Sequence, residues 1–217
     1  MLYKLVSFDF DGTILDIDSS SWFLITSTLG CLNEDLYNKE LFEKGIIDYK
    51  EWSRRTIELY KRYKLTKEKF LEIFSSQKLV DSCVETLNKL KEKGLKTCII
   101  SGGIKNVYDF FAERCGLEVD FPRFCTELYF DRDGNLIGGT YSNYDFEGKI
   151  KALEEVCDEL GIDLDEVIFV GDGENDIPIF RVVGLSIAFR PKSERVVEEV
   201  DEVINDFSEL IKVVERA

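Results

Sequence analysis

Apolar and polar positions follow two different rhythms along the chain, and the change falls near Leu79. The run Leu5-Val6-Ser7-Phe8 is short, bulky and bounded by a turn at Gly12, which predicts a buried strand. From about Ile14 to about Lys78 the pattern is charged, aromatic and helical in period. It predicts helices over 21–29, 35–44, 49–63 and 67–74, the last capped by Thr66. After Leu79 helices and strands alternate. Val80, Cys83, Val84, Leu87 and Leu90 make one apolar helix face, opened by a capping box from Ser82 to Glu85 and closed by Gly94. A strand is predicted over 96–100, then a turn at Ser101-Gly102-Gly103, a helix over 104–115, and a hairpin of 124–130 with 136–141 around Asp133-Gly134. A helix over 151–160 leads to a strand at 167–170 and the loop Gly171-Asp172-Gly173. Another helix, a strand at 186–189, a strand near Val203 and Ile204 and a helix from Ser208 complete the chain.

Alternating strands and helices predict an α/β fold with a doubly wound parallel sheet covered on both faces. The helical stretch reads as an inserted cap domain, 15–78, which divides the core domain into 1–14 and 79–217. In such sheets ligands bind at the carboxyl ends of the strands, where Asp9, Ser101 and Asp172 all stand.

Composition narrows what could bind there. The 217 residues carry 28 basic and 43 acidic side chains, a net charge of −15, which argues against nucleic acid or an anionic membrane as partner. An anionic substrate would need a locally positive pocket. No stretch approaches the roughly 18 apolar residues of a membrane span, and the N-terminus enters a strand at once, so a cytoplasmic monomer or homodimer is expected. Six scattered cysteines without a C-x-x-C pair read as reduced core residues. The chain has no histidine, which removes Ser-His and Cys-His nucleophile pairs and leaves carboxylates, lysine and a metal as catalytic groups.

Two carboxylates close the first strand. Side chains alternate along a strand, so Asp9 and Asp11 leave on the same side about 6 to 7 Å apart, where like charges repel unless a cation or proton lies between them. That points to a hard metal ion such as magnesium, although a lone Asp-x-Asp-Gly is more often a solvated turn. A second acidic loop, Gly171-Asp172-Gly173-Glu174-Asn175-Asp176, follows another apolar strand. Asp9, Asp172 and a main-chain carbonyl near Asp11 would give the all-oxygen shell that magnesium prefers. Ser101 and the amides of Gly102 and Gly103 stand before a helix, where they would meet an anion or simply make a turn. Lys149 alone would read as solvated surface, and its company makes it a candidate.

Asp9-Phe10-Asp11-Gly12-Thr13, Ser101, Lys149 and the Gly171–Asp176 loop stand in the order of the four motifs of haloacid dehalogenase superfamily phosphatases, which the chain resembles over nearly its whole length. Within that superfamily it is most similar to the phosphoserine phosphatase group. In the third motif a glycine commonly follows the lysine, whereas here Gly148 precedes it. The resemblance implies a Rossmann-like core and magnesium-dependent hydrolysis of a small phosphomonoester, phosphoserine for choice, through an aspartyl phosphate on Asp9. Asp11 would be acid and base, Lys149, Ser101 and Gly102 would balance charge on the phosphoryl oxygens, Asn175 would touch phosphate, and Asp176 would stand behind metal ligands Asp9, Asp11 and Asp172. It also implies Asp18 for the substrate ammonium and, with Thr56 at the position where the group carries its arginine, Arg54 or Arg55 for the carboxylate. Both arginines read equally well as a solvated helix face. The alternatives are a phosphatase of another metabolite such as phosphoglycolate, and a phosphotransferase or phosphomutase on the same fold.

Overall fold

The structure, a computed structural model, describes residues 2–216. β1 (Leu5–Phe8) leads through the helices α1 (Ser21–Leu29), α2 (Leu32–Glu43), α3 (Tyr49–Arg62), α4 (Lys67–Ser75) and α5 (Cys83–Glu92) to β2 (Lys96–Ile104). There follow α6 (Lys105–Cys115), β3 (Phe121–Thr126), β4 (Leu128–Phe130), β5 (Leu136–Gly139), α7 (Gly148–Leu160) and β6 (Val167–Gly171). The chain ends with α8 (Ile177–Phe180), β7 (Leu185–Phe189), α9 (Glu194–Val197), β8 (Glu202–Ile204) and α10 (Glu209–Arg216).

The main sheet has six strands in the order β3-β2-β1-β6-β7-β8, and every pairing in it is parallel. Its strands read as continuous apolar runs because both faces are covered. Val6, Phe8, Ile99, Ile168 and Val170 join the core under α5, α6 and α10, while Leu5, Cys98, Ile100, Val167 and Phe169 join the core under α7 and α8. All six cysteines are free thiols, five of them buried. Among the described residues no helix is long and apolar enough to cross a membrane.

The helical stretch leaves and rejoins the sheet at one narrow place. Leu15 bridges Leu79 in antiparallel fashion, with Asp16 N donating to Lys78 O and Val80 N to Ile14 O. Between these points lie α1 to α4, and the two-stranded ribbon β4–β5 packs on them, with Lys67 N donating to Gly134 O and Leu136 N to Leu65 O.

Four local expectations are corrected. Ser101-Gly102-Gly103 is strand rather than turn, because β3 pairs on either side of the two glycines, at Ser101 and at Ile104, with a register shift between them. The expected hairpin strand at 124–130 divides, its first part joining the main sheet as β3. Ser82 has a left-handed backbone (φ 64°) and its side chain makes no cap bond, so the capping box is absent. Helix α7 begins at Gly148, which puts Lys149 inside the first turn rather than ahead of it.

Candidate active site

Strand register brings the acidic loops together. Phe8 pairs with Val170, and Asp9 N donates to Val170 O at 2.9 Å, so the residues that follow β1 and β6 emerge side by side where the strand order reverses. Gly12 has φ +87°, and a Cβ on it would lie 2.2 Å from Asp172 Oδ2, so the first loop closes over the second only with glycine there.

Lys149 enters from the opposite side of the sheet and is fully buried. Its Nζ lies 3.0 Å from Asp9 Oδ1 and 2.5 Å from Asp176 Oδ1. Burial alone would depress its pKa, but the carboxylates of Asp176, Asp9 and Asp145 outweigh that and raise it. The glycine that precedes the lysine has a local reason, since a Cβ on Gly148 would lie 2.0 Å from Asn143 O. The other oxygen of Asp176 accepts from the amides of Asp172 and Gly173, each at 3.1 Å, so this residue ties the lysine to the second acidic loop.

Carboxylate oxygens of Asp9, Asp172 and Asp176 lie within 4.8 Å of one another, a buried acidic group able to hold a metal ion. Asp9 Oδ1 and Asp172 Oδ2 are enclosed and accept no directed hydrogen bond, although ammonium groups lie 3.0 Å and 2.6 Å away. Burial and the charge of Asp9 push Asp172 up to about 6, against the pull of Lys192. A hard cation relieves such crowding, and the donors are all oxygen.

Asp11 faces elsewhere. Its Oδ2 accepts from the Ser21 amide at 2.7 Å and the Ser21 hydroxyl at 2.8 Å, at the start of α1, while Oδ1 is enclosed without a partner. Burial pushes this carboxyl up to about 7 despite those two donors. Its side chain is therefore not one of the clustered ligands, which leaves its main-chain carbonyl as the donor it would offer. The Ser101 hydroxyl accepts from the Gly103 amide at 3.0 Å. Gly102 O accepts from Trp22 Nε1 at 2.9 Å and the Tyr49 hydroxyl at 3.2 Å, which ties this strand end to the helical layer. Asn175 Nδ2 donates to Asp145 Oδ1 at 2.9 Å.

One cavity of about 500 Å³ runs from these residues into the helical layer. Asp9, Asp11, Ser101, Gly102, Asp172 and Asn175 line it on the sheet side. On the helical side, α2 contributes Leu32, Asp35, Leu36 and Lys39, and α3 contributes Tyr49, Trp52, Ser53 and Thr56. Each set has the i, i+3, i+4, i+7 spacing of a single helix face. Two sequence expectations fall outside. Asp18 is exposed and does not line the cavity. Arg54 lies on the outer side of α3, paired with Glu51 at 2.7 Å, and lines a different groove with Arg55. Ser21, Asp145 and Lys192 belong to the site and were not signalled by any motif.

Residues 3–184 match the family model of haloacid dehalogenase-like hydrolases. The chain is similar to a phosphoserine phosphatase of Albidiferax ferrireducens, 32% identical over 198 residues, covering 88% of this chain and 80% of that protein. A phosphoserine phosphatase of Campylobacter jejuni subsp. doylei is 29% identical over 216 residues, 98% of this chain and 100% of its own. Among solved structures, a substrate-bound phosphoserine phosphatase complex superimposes with a TM-score of 0.76 at 27% identity, covering 97% of this chain and 98% of that one.

Proposed function

The chain belongs to the haloacid dehalogenase-like hydrolases, and we propose that it is a magnesium-dependent phosphomonoester hydrolase whose substrates include phosphoserine, as the names of its relatives suggest. The observation that carries this reading is the pairing of a buried Asp9 beside Lys149 with an Asp11 whose carboxyl is pushed up to about 7.

A carboxylate oxygen of Asp9 attacks phosphorus, and the bond from phosphorus to the leaving oxygen breaks as Asp11 gives that oxygen its proton. Water then attacks the aspartyl phosphate, Asp11 takes up its proton, and phosphate leaves with Asp9 restored. Lys149, the Ser101 hydroxyl and the Gly102 amide balance charge on the transferring group. Asp176 holds Lys149 and the second acidic loop in place. Magnesium held by Asp9, Asp172 and the main-chain carbonyl of Asp11 would supply further positive charge for the phosphoryl oxygens.

The test is inorganic phosphate release from a panel of phosphomonoesters in the presence of magnesium. Release without an added acceptor is expected, and excess chelator should stop it until magnesium, but not calcium, is returned. Full activity in chelator would remove the metal from the mechanism. Transfer to an added alcohol with no free phosphate would make the protein a phosphotransferase.

Arg54→Ala is expected to leave KM for phosphoserine within about twofold, since its guanidinium pairs with Glu51 on the outer side of α3, away from the cavity, and such an exposed pair carries little energy. A selective rise in KM for phosphoserine over an aryl phosphate would bring the arginine back into the site.

A further inference from the structure

We propose that the helical end of the cavity receives an ammonium group, that Asp35 is the side chain that binds it, and that the substrates are therefore phosphate esters of amino alcohols. This rests on the phosphomonoesterase reading and specifies the leaving group.

Asp35 lies on α2 and is only 8% exposed, yet it lines the same cavity as Asp9. Its Oδ1 accepts from Trp52 Nε1 at 3.2 Å and from the Thr56 hydroxyl. Among the described residues nothing donates to Oδ2. That oxygen is not one of the enclosed, unpartnered ones, so it stays open to a guest in the cavity, while burial of the rest of the residue pushes the carboxyl up against the pull of Thr56, Trp52 and Lys39. A cation entering the cavity can meet that open oxygen.

The walls suit the same guest. The rings of Trp22, Tyr49, Trp52 and Phe146 line the cavity, and an ammonium is drawn to the faces of such rings. A carboxylate on the leaving group fares worse. Among the described residues no arginine lines the cavity. Of its two lysines, Lys192 is held 2.6 Å from Asp172, and Lys39 is an exposed ammonium 3.5 Å from Glu43 that also feels the charge of Asp35, a place the substrate ammonium would share with it. The site thus demands the substrate's positive group and merely tolerates a negative one, a rule that phosphoserine satisfies and phosphoethanolamine satisfies equally.

The experiment compares kcat/KM for phosphoserine, phosphoethanolamine and glycerol phosphate, the last lacking an ammonium. In the natural protein phosphoethanolamine is expected within about tenfold of phosphoserine and roughly 10- to 100-fold above glycerol phosphate, the range of one charged hydrogen bond. In Asp35→Asn the ratio of phosphoethanolamine to glycerol phosphate should fall toward one, through KM rather than kcat, and Asp35→Glu should restore part of it. An unchanged ratio in Asp35→Asn, or equal rates on phosphoethanolamine and glycerol phosphate in the natural protein, overturns the proposal. The second comparison needs no variant and so stands even where Asp35→Asn fails to fold. p-Nitrophenyl phosphate separates the two levels of inference. Its hydrolysis with no ammonium preference leaves the phosphatase reading intact and removes only this one, whereas no hydrolysis of any ester removes both.

Discussion

Asparagine in place of Asp9 is expected to stop phosphate release, by about three orders of magnitude or more, without unfolding the protein. The amide keeps the shape of the carboxylate but is a much poorer nucleophile, and the neighbouring groups cannot substitute for it. Asp11 is turned toward Ser21, and Asp176 has both oxygens engaged, one by Lys149 and the other by two main-chain amides. Stability should hold because Lys149 keeps Asp176 at 2.5 Å, so no buried ammonium is left unpaired, while Asp172 and Asp176 lose a repelling neighbour. Phosphate release and thermal unfolding measured on the same preparation test both halves. Turnover near the natural rate would rule out covalent catalysis by Asp9.

Lys149→Met should damage the fold as well as the chemistry. The lysine is fully buried between two carboxylates, so its removal leaves Asp9 and Asp176 facing each other without compensation. Breaking a buried pair in this way costs about 3 to 5 kcal/mol. In a chain of this size that corresponds to a melting temperature lower by roughly 6 to 20 °C, measured in chelator so that no cation takes the ammonium's place. Lost charge on the phosphoryl oxygens should lower kcat by about a hundredfold or more. Adding Asp176→Asn removes one stranded carboxylate, so the double variant should regain stability but not activity. A Lys149→Met melt within about 1 °C of the natural protein would show that the buried charges do not depend on this lysine.

The strands β1 and β6 and the four motif positions could be read from the chain because each is a local pattern, an apolar run ending in a fixed set of polar residues. The Ser101-Gly102-Gly103 segment misled because glycine favours a turn only where no neighbouring strand competes, and β3 lies too far along the sequence to be seen from there. Asp145 and Lys192 were invisible for the same reason. Asp145 meets Asn175 across 30 residues, and Lys192 meets Asp172 through a loop with no periodic signal. The helical wall of the cavity is legible in the helix period itself. Tyr49, Trp52, Ser53 and Thr56 share one face of α3, and at about 100° per residue Arg54 stands roughly 150° round from its centre. Helical geometry alone sets that arginine outside, whatever a motif alignment places beside it. Lys149 shows the opposite case, where company in the sequence identified a buried residue that composition would have assigned to the surface.

The position of β1 at the middle of the sheet governs how the protein comes into being. It is the first of the sheet strands in chain order, yet its partners are Lys96 and Val167 for the same residue, Leu5. Both edges of the strand that carries Asp9 therefore wait for sequence far downstream, and the whole helical layer is synthesised in the interval. Such long-range pairing slows folding, and until β6 arrives the apolar strand has an open edge available to other chains. Asp9, Asp172 and Lys149 meet only when the last of these pairings closes, so a half-folded chain holds no assembled phosphatase. The same topology that concentrates charge at one crevice also delays its chemistry until assembly of the sheet is all but complete.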